Sequence, residues 1–310
     1  MNPTSISSNA RADARKATFI YLIVVLAFSA VLWALIIRSG HLSMGLGMAV
    51  MALMWCPALA AFVTCRVMGR SVPSLAWRWP AGRYVAAAYF LPIAYAGLAY
   101  AAVWALRLGG WNSPFVAAVK ERFQLPGVPT WAVMALFVIF MATAGVIRSV
   151  ASALGEEIGW RGFLVPELAK QMSFTKLSLL SGVIWAAWHS PLLLFADYNA
   201  GTNRWYALGC FAAMVISSSF MFAWLRLKSG SLWTAALLHA SHNLFVQGIF
   251  DNFMLNTGRT LWYTTEFGAA MVITCAGFAL YFWTRRGEVE LSQRSPEPAV
   301  GFAQQTASSM

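Results

Sequence analysis

Two adjacent carboxylates, Glu156 and Glu157, stand one helical turn ahead of Arg161; an imidazole, His189, follows in the next apolar stretch, and His239 and Asn243 stand one turn apart in a third. These residue types do acid–base chemistry. A carboxylate can take a proton from water, an imidazole can share it, and an amide N–H can hold an oxygen on which negative charge develops. All of them lie within or at the ends of apolar stretches long enough to cross a bilayer. An ionisable side chain at that depth costs roughly 2.5–3.5 kcal/mol on insertion scales, so its default reading is a functional site.

Spacing divides the roles. On a helix Glu157 and Arg161 face one another, which makes them a structural ion pair, while Glu156 points about 100° away and is left to face a cavity as base or ligand. A second reading of the same segment is a capping cluster at the cytoplasmic end of a span, with both glutamates in water. Gly159 and Gly162 permit close helix approach. In Trp185-Ala186-Ala187-Trp188-His189-Ser190-Pro191, the proline removes a backbone donor and should leave the carbonyl of Ala187 without its helical partner, opening the helix beside His189. The alternative for His189 is a simple hydrogen bond to a neighbouring helix. His239 and Asn243 share a face and can address one substrate atom, whereas His242 lies on another face and reads as a packing or supporting residue. His41, in a short connection, reads as solvated.

The elements that must position these groups are membrane spans. With 59% hydrophobic residues, 11% charged residues and a mean hydropathy of +0.62, the chain falls outside the soluble range. Eight stretches have the length to span, near 18 to 37, 44 to 65, 84 to 106, 130 to 153, 177 to 195, 206 to 225, 231 to 250 and 263 to 284. The fold expected is therefore all-α: a polytopic membrane helical bundle of about eight transmembrane helices. Placing the N-terminus inside puts fifteen Lys and Arg on the cytoplasmic side and six outside, with Arg148 within a span, so both termini are expected in the cytoplasm. The first run is too long for a signal-peptide core and is expected to remain as an anchor.

Residues 1–16 and 287–310 are polar and aperiodic and read as disordered cytoplasmic tails flanking a transmembrane domain at 17–286. A short amphipathic piece, Phe115 to Phe123, lies in the connection from 107 to 129. Trp77, Trp79, Trp111, Trp131, Trp205 and Trp262 sit near span ends as interfacial anchors. Cys56, Cys65, Cys210 and Cys275 lie in apolar segments without metal-type spacing and read as reduced thiols. The net charge of +11 is scattered and builds no basic stripe, so the expected partners are the bilayer and a substrate, not nucleic acid.

The three motifs together resemble the CPBP intramembrane proteases, a family named for its CAAX-processing and bacteriocin-processing members and also called Abi. Its pattern is Glu-Glu-x-x-x-Arg, Phe-x-x-x-His and His-x-x-x-Asn on successive membrane helices. The first matches at Glu156, Glu157 and Arg161 and the third at His239 and Asn243; in the second, Trp185 stands where the family has Phe, four residues before His189. The resemblance covers about residues 130–250. It implies an endopeptidase cavity open toward the cytoplasm, acting on a membrane-associated leader or tail peptide, as eukaryotic relatives act on prenylated Cys-a-a-X tails.

The residues suffice for that chemistry. Glu156, helped by His189, can deprotonate water while His239 and Asn243 stabilise the oxyanion. The rival mechanism places Zn2+ on Glu156, His189 and His239, and the family has often been described as metalloproteases. Against it stand the lack of a His-Glu-x-x-His pair and the amide of Asn243, a poor zinc ligand. No cofactor is the favoured expectation. Two further classes fit the same buried groups: a transporter with a proton relay through Glu156 and His189, and a non-catalytic immunity or scaffold protein.

Overall fold

In the computed structural model, which describes residues 7–289, each of the eight apolar stretches is helical over most of its length, the eighth only from Ala269 on and not from 263. The first three are α1 (Ser8–Ser39), α2 (Met48–Val67) and α3 (Gly82–Ala105), and a short α4 (Ser113–Arg122) covers the amphipathic piece. The fourth is one continuous helical run from Thr130 to Ala169: α5 (Thr130–Phe140), a π-helical segment Met141–Gly145, α6 (Val146–Glu157), a second π-helical segment Ile158–Leu164, and α7 (Val165–Ala169). Then come α8 (Phe174–Phe195) and α9 (Arg204–Ser229). The seventh is α10 (Trp233–His242), a third π-helical segment Asn243–Phe250 and α11 (Asp251–Phe253), and the eighth is α12 (Ala269–Thr284). Six of these runs are long and apolar enough to cross a membrane, and α12 is a shorter apolar helix of 16 residues. The chain is a multi-pass all-α membrane protein.

Two boundaries differ from expectation for local reasons. α1 begins at Ser8, inside the stretch expected to be a disordered tail, because the Ser7 hydroxyl caps the amide of Ala10 and Ala, Arg and Lys fill the first turns. The fourth helix does not stop at 153 but carries the Glu156 motif in its interior, so that motif is not an end cap. At the C-terminal side, Glu288 pairs with Arg285 (2.6 Å) and Val289 is buried, so the expected tail starts docked; residues 1–6 and 290–310 lie outside the described residues.

α2 packs against α6 and its π turn, α10 against α6 and α3, α8 against α9, and α12 against α9 and α3. The close approach of α2 depends on Gly155 and Gly159. A Cβ on Gly155 would sit 2.7 Å from the Met54 carbonyl, and one on Gly159 would sit 2.5 Å from both Pro57 and the Tyr21 hydroxyl. Gly162 has ordinary room, 3.5 Å from its nearest neighbour, so it is not the contact glycine its spacing suggested.

Connections assigned to one side of the membrane meet one another. Arg70 pairs with Glu167 (2.9 Å) and with Asp13, tying the α2–α3 connection to the start of α1 and the end of α7. At the other end His41 pairs with Asp197 (3.2 Å), and a two-residue ribbon joins β1 (Gly110–Trp111) to β2 (Met254–Leu255). The alternation of sides read from the charges is thus kept by the fold. Cys56, Cys65 and Cys275 are buried, Cys210 is half-buried, and all four are unpaired.

Candidate active site

The Glu157–Arg161 pair forms as the helix spacing requires, with Arg161 Nη1 donating to Glu157 Oε1 at 2.9 Å. The same oxygen lies 2.9 Å from His239 Nδ1, so Glu157 ties α6 to α10. The Arg161 guanidinium lies between the rings of Trp185 (4.1 Å) and Phe222 (4.2 Å), which supports a charge otherwise held by one carboxylate. Both glutamates are enclosed, Glu156 at 1% and Glu157 at 0% exposure, which overturns the reading of a solvated cap.

Glu156 turns away from this pair and accepts indole N–H bonds at a single oxygen, Oε2, from Trp185 (2.8 Å) and Trp160 (3.4 Å). Trp185 therefore contributes more than cavity shape: a phenylalanine there could not donate. His189 Nδ1 lies 3.0 Å from the Trp185 carbonyl, which can only accept, so Nδ1 carries the proton and Nε2 is left as an acceptor. Pro191 does not open α8, because the Ser190 hydroxyl donates to the Ala187 carbonyl (2.7 Å) that the proline leaves unpaired.

Glu156, His189, His239 and Asn243 all line one cavity of about 770 Å³. Among the described residues no protein group bonds to Glu156 Oε1, to Nε2 of His189 or His239, or to the Asn243 side-chain amide. The chemistry-bearing residues of three separate helices thus offer their open polar atoms to one space.

The cavity floor is Glu156, Trp185, Phe222 and His239, and its far wall reaches Leu42, Tyr198 and Glu266. Those three belong to the connections after α1, after α8 and before α12, at the end of the bundle where His41 meets Asp197. No lining residue comes from the connections at the Arg70 end. The lining thus lies toward the His41–Asp197 end of the bundle, the end that the charge count puts outside, whereas the resemblance implied a cavity open toward the cytoplasm.

A second polar cluster was not found from the sequence. Glu266 Oε1 accepts from Gln247 (2.8 Å) and faces His242 Nε2 (3.0 Å), while Oε2 accepts from the Tyr198 hydroxyl (2.8 Å). His242 Nδ1 in turn meets the Tyr95 hydroxyl at 2.7 Å. His242, expected as a packing or supporting residue, thus meets Glu266 and Tyr95. The available signal was Glu266 itself, an acid in the eighth apolar stretch.

Among the described residues, no three His, Cys, Asp or Glu side chains come together as a metal-binding group, so Glu156, His189 and His239 are not assembled as a ligand set. One Glu156 oxygen is instead held by indoles, and no step below is routed through a metal.

Fold and lining define a class: a multi-pass helical membrane protein whose buried acid, imidazole and amide groups line a common cavity. Residues 128–245 match the family model described as type II CAAX prenyl endopeptidase Rce1-like. The chain is also 29% identical over 141 residues to CAAX prenyl protease 2 of Methanococcus maripaludis, a match covering 42% of this chain and 47% of that protein, about half its length. The matched residues 128–245 hold Glu156, Glu157, Arg161, His189, His239 and Asn243, and in this stretch the chain is similar to that family.

Proposed function

We propose that the protein is an intramembrane endopeptidase that hydrolyses a peptide bond of a membrane-associated peptide or protein, using water activated by Glu156 and His189. The observation that carries this reading is the set of four open polar groups lining one cavity. Water held between Glu156 Oε1 and His189 Nε2 gives its proton to Glu156 as its oxygen attacks the carbonyl carbon. The carbonyl oxygen takes the negative charge and is held by the Asn243 amide and by Nε2–H of His239. For that bond His239 must carry both ring protons, and the Glu157 carboxylate at Nδ1 is the counter-charge that form needs. Collapse returns the proton from Glu156 to the leaving nitrogen, giving one carboxylate and one amine terminus.

The reading is metal-free. Its substrate class is a tail or leader peptide of the CAAX-type kind that the relative's name points to, and its location is the cell membrane. The charge count is the stronger guide to orientation, so the cavity faces the non-cytoplasmic half.

Glu156→Gln is isosteric and should cut peptide cleavage by purified protein about 10²- to 10⁴-fold without altering insertion or yield. Turnover near wild type would overturn the assignment. Exhaustive chelation should leave activity intact; loss on chelation and recovery with zinc would replace the mechanism with a metal one. In intact cells an Ala144→Cys variant, at the exposed cavity mouth, should react with a membrane-impermeant thiol reagent. Reaction only after lysis would invert the orientation.

A further inference from the structure

Arg148 lines the cavity, is exposed, and has no ion pair or hydrogen bond to any protein group among the described residues. Among the described residues no other arginine or lysine lines that space. The neighbouring hydroxyls do not serve it: Ser149 donates to the Ala240 carbonyl (2.7 Å) and Ser152 to the Ser149 carbonyl (2.9 Å). A cation inside a membrane helix persists where it faces a cavity or a partner, and here the fold supplies the cavity and leaves the partner out.

Its position relative to the base is fixed by α6. Arg148, Ser152 and Glu156 are successive members of an i, i+4 stripe, and all three line the cavity. Eight residues of helix separate the guanidinium-bearing position from Glu156, about 12 Å along the axis at 1.5 Å per residue. An extended peptide covers that length in about three to four residues at 3.3–3.6 Å each. The other exposed lining residues are Phe140, Ala144 and Gln247, so Arg148 stands at the mouth while Glu156 stands at the floor.

We infer that Arg148 is a specificity residue for the proposed peptidase: it receives a carboxylate of the substrate and so sets that carboxylate three to four residues from the bond that is cut. The assignment rests on the peptidase reading. A lipid phosphate offers the same anionic chemistry, and the anionic-lipid arm of the test below distinguishes it from a substrate carboxylate.

The test uses the full chain in nanodiscs of neutral phosphatidylcholine and a fluorescent N-palmitoylated octapeptide, made once with a free C-terminal carboxylate and once as the amide. Binding is read by anisotropy on the Glu156→Gln protein, which separates recognition from hydrolysis. The acid should bind about 10- to 100-fold more tightly than the amide, the range of a charge-assisted hydrogen bond. Arg148→Gln in that background should abolish the difference and Arg148→Lys should keep most of it. An amidated peptide carrying Asp near its end, compared with its Asn twin, tells a side-chain carboxylate from a terminal one.

Equal binding of acid and amide, or a preference that survives Arg148→Gln, overturns the assignment. So does an Arg148 effect that appears only when anionic phosphatidylglycerol is added and is the same for both peptides. If the acid preference and its loss in Arg148→Gln are found but wild-type protein cleaves neither peptide, the peptidase reading fails and the carboxylate site stands.

Discussion

The cavity carries two buried clusters of acid and imidazole that look alike in composition and differ in saturation. Around Glu266 the hydrogen-bonding capacity is taken up: three side chains meet the carboxylate, and both ring nitrogens of His242 have partners. That cluster ties α3, α10, the 243–250 segment and two connections together. Around Glu156 one carboxylate oxygen is held by indoles and the other is open, and His189 and His239 each have one nitrogen engaged and one facing the cavity. A saturated polar cluster rigidifies a fold, whereas catalysis needs groups that are positioned on one side and vacant on the other. An acid and a histidine in a membrane cavity do not by themselves mark an active site; what sets the proposed site apart from the Glu266 cluster is its vacant polar atoms.

Charge removal at the two acids is the sharpest way to break this comparison, and its largest effect falls on activity. Glu156→Gln should lose about two to four orders of magnitude in turnover with little change in thermal unfolding of the detergent-solubilised protein. Glu266→Gln should do the reverse. An amide cannot accept from all three donors, so unfolding stability should fall by about 1.5–3 kcal/mol, the worth of a hydrogen bond to a charged group, while activity per folded molecule stays within about threefold. If Glu266→Gln instead silences a stable protein, saturation does not distinguish structure from chemistry here.

Much of the first cluster was legible because its residues are local. Glu157 and Arg161 are i, i+4 neighbours, so helix geometry alone pairs them, and the same geometry turns Glu156 to a different side. The second partner of Glu157, His239, is 82 positions away, and no local rule connects them. The π turns at 141–145, 158–164 and 243–250 were not legible either, since the glycines they contain, Gly145, Gly159, Gly162 and Gly248, read equally well as sites of close helix approach and do not signal a shift of helical phase. Glu266 carries no comparable local signal, because its partners His242, Gln247 and Tyr198 are 19 or more positions away. The unexpected start of α1 has the converse cause: Arg11, Asp13, Arg15 and Lys16 lower the hydropathy of a segment whose helix propensity is high.

The smallest expected effect concerns Trp185, where this chain departs from the family's phenylalanine. Phe in its place keeps an aromatic plate for Arg161 but removes the 2.8 Å bond to Glu156 Oε2, leaving that oxygen only the longer contact from Trp160. The Glu156 side chain then has one weaker tether and samples orientations in which Oε1 does not meet the water. A neutral hydrogen-bond donor is worth about 0.5–1.5 kcal/mol, so Trp185→Phe should lower kcat by about two- to tenfold with KM unchanged, because substrate binding does not pass through this bond. Trp160→Phe, removing the 3.4 Å contact, should cost less than Trp185→Phe. Steady-state kinetics of the two variants on one peptide decides the matter. An unchanged kcat in Trp185→Phe would mean that Glu156 is positioned by packing alone, and a fall as deep as that of Glu156→Gln would mean that the indole N–H takes part in the chemistry and not only in holding the base.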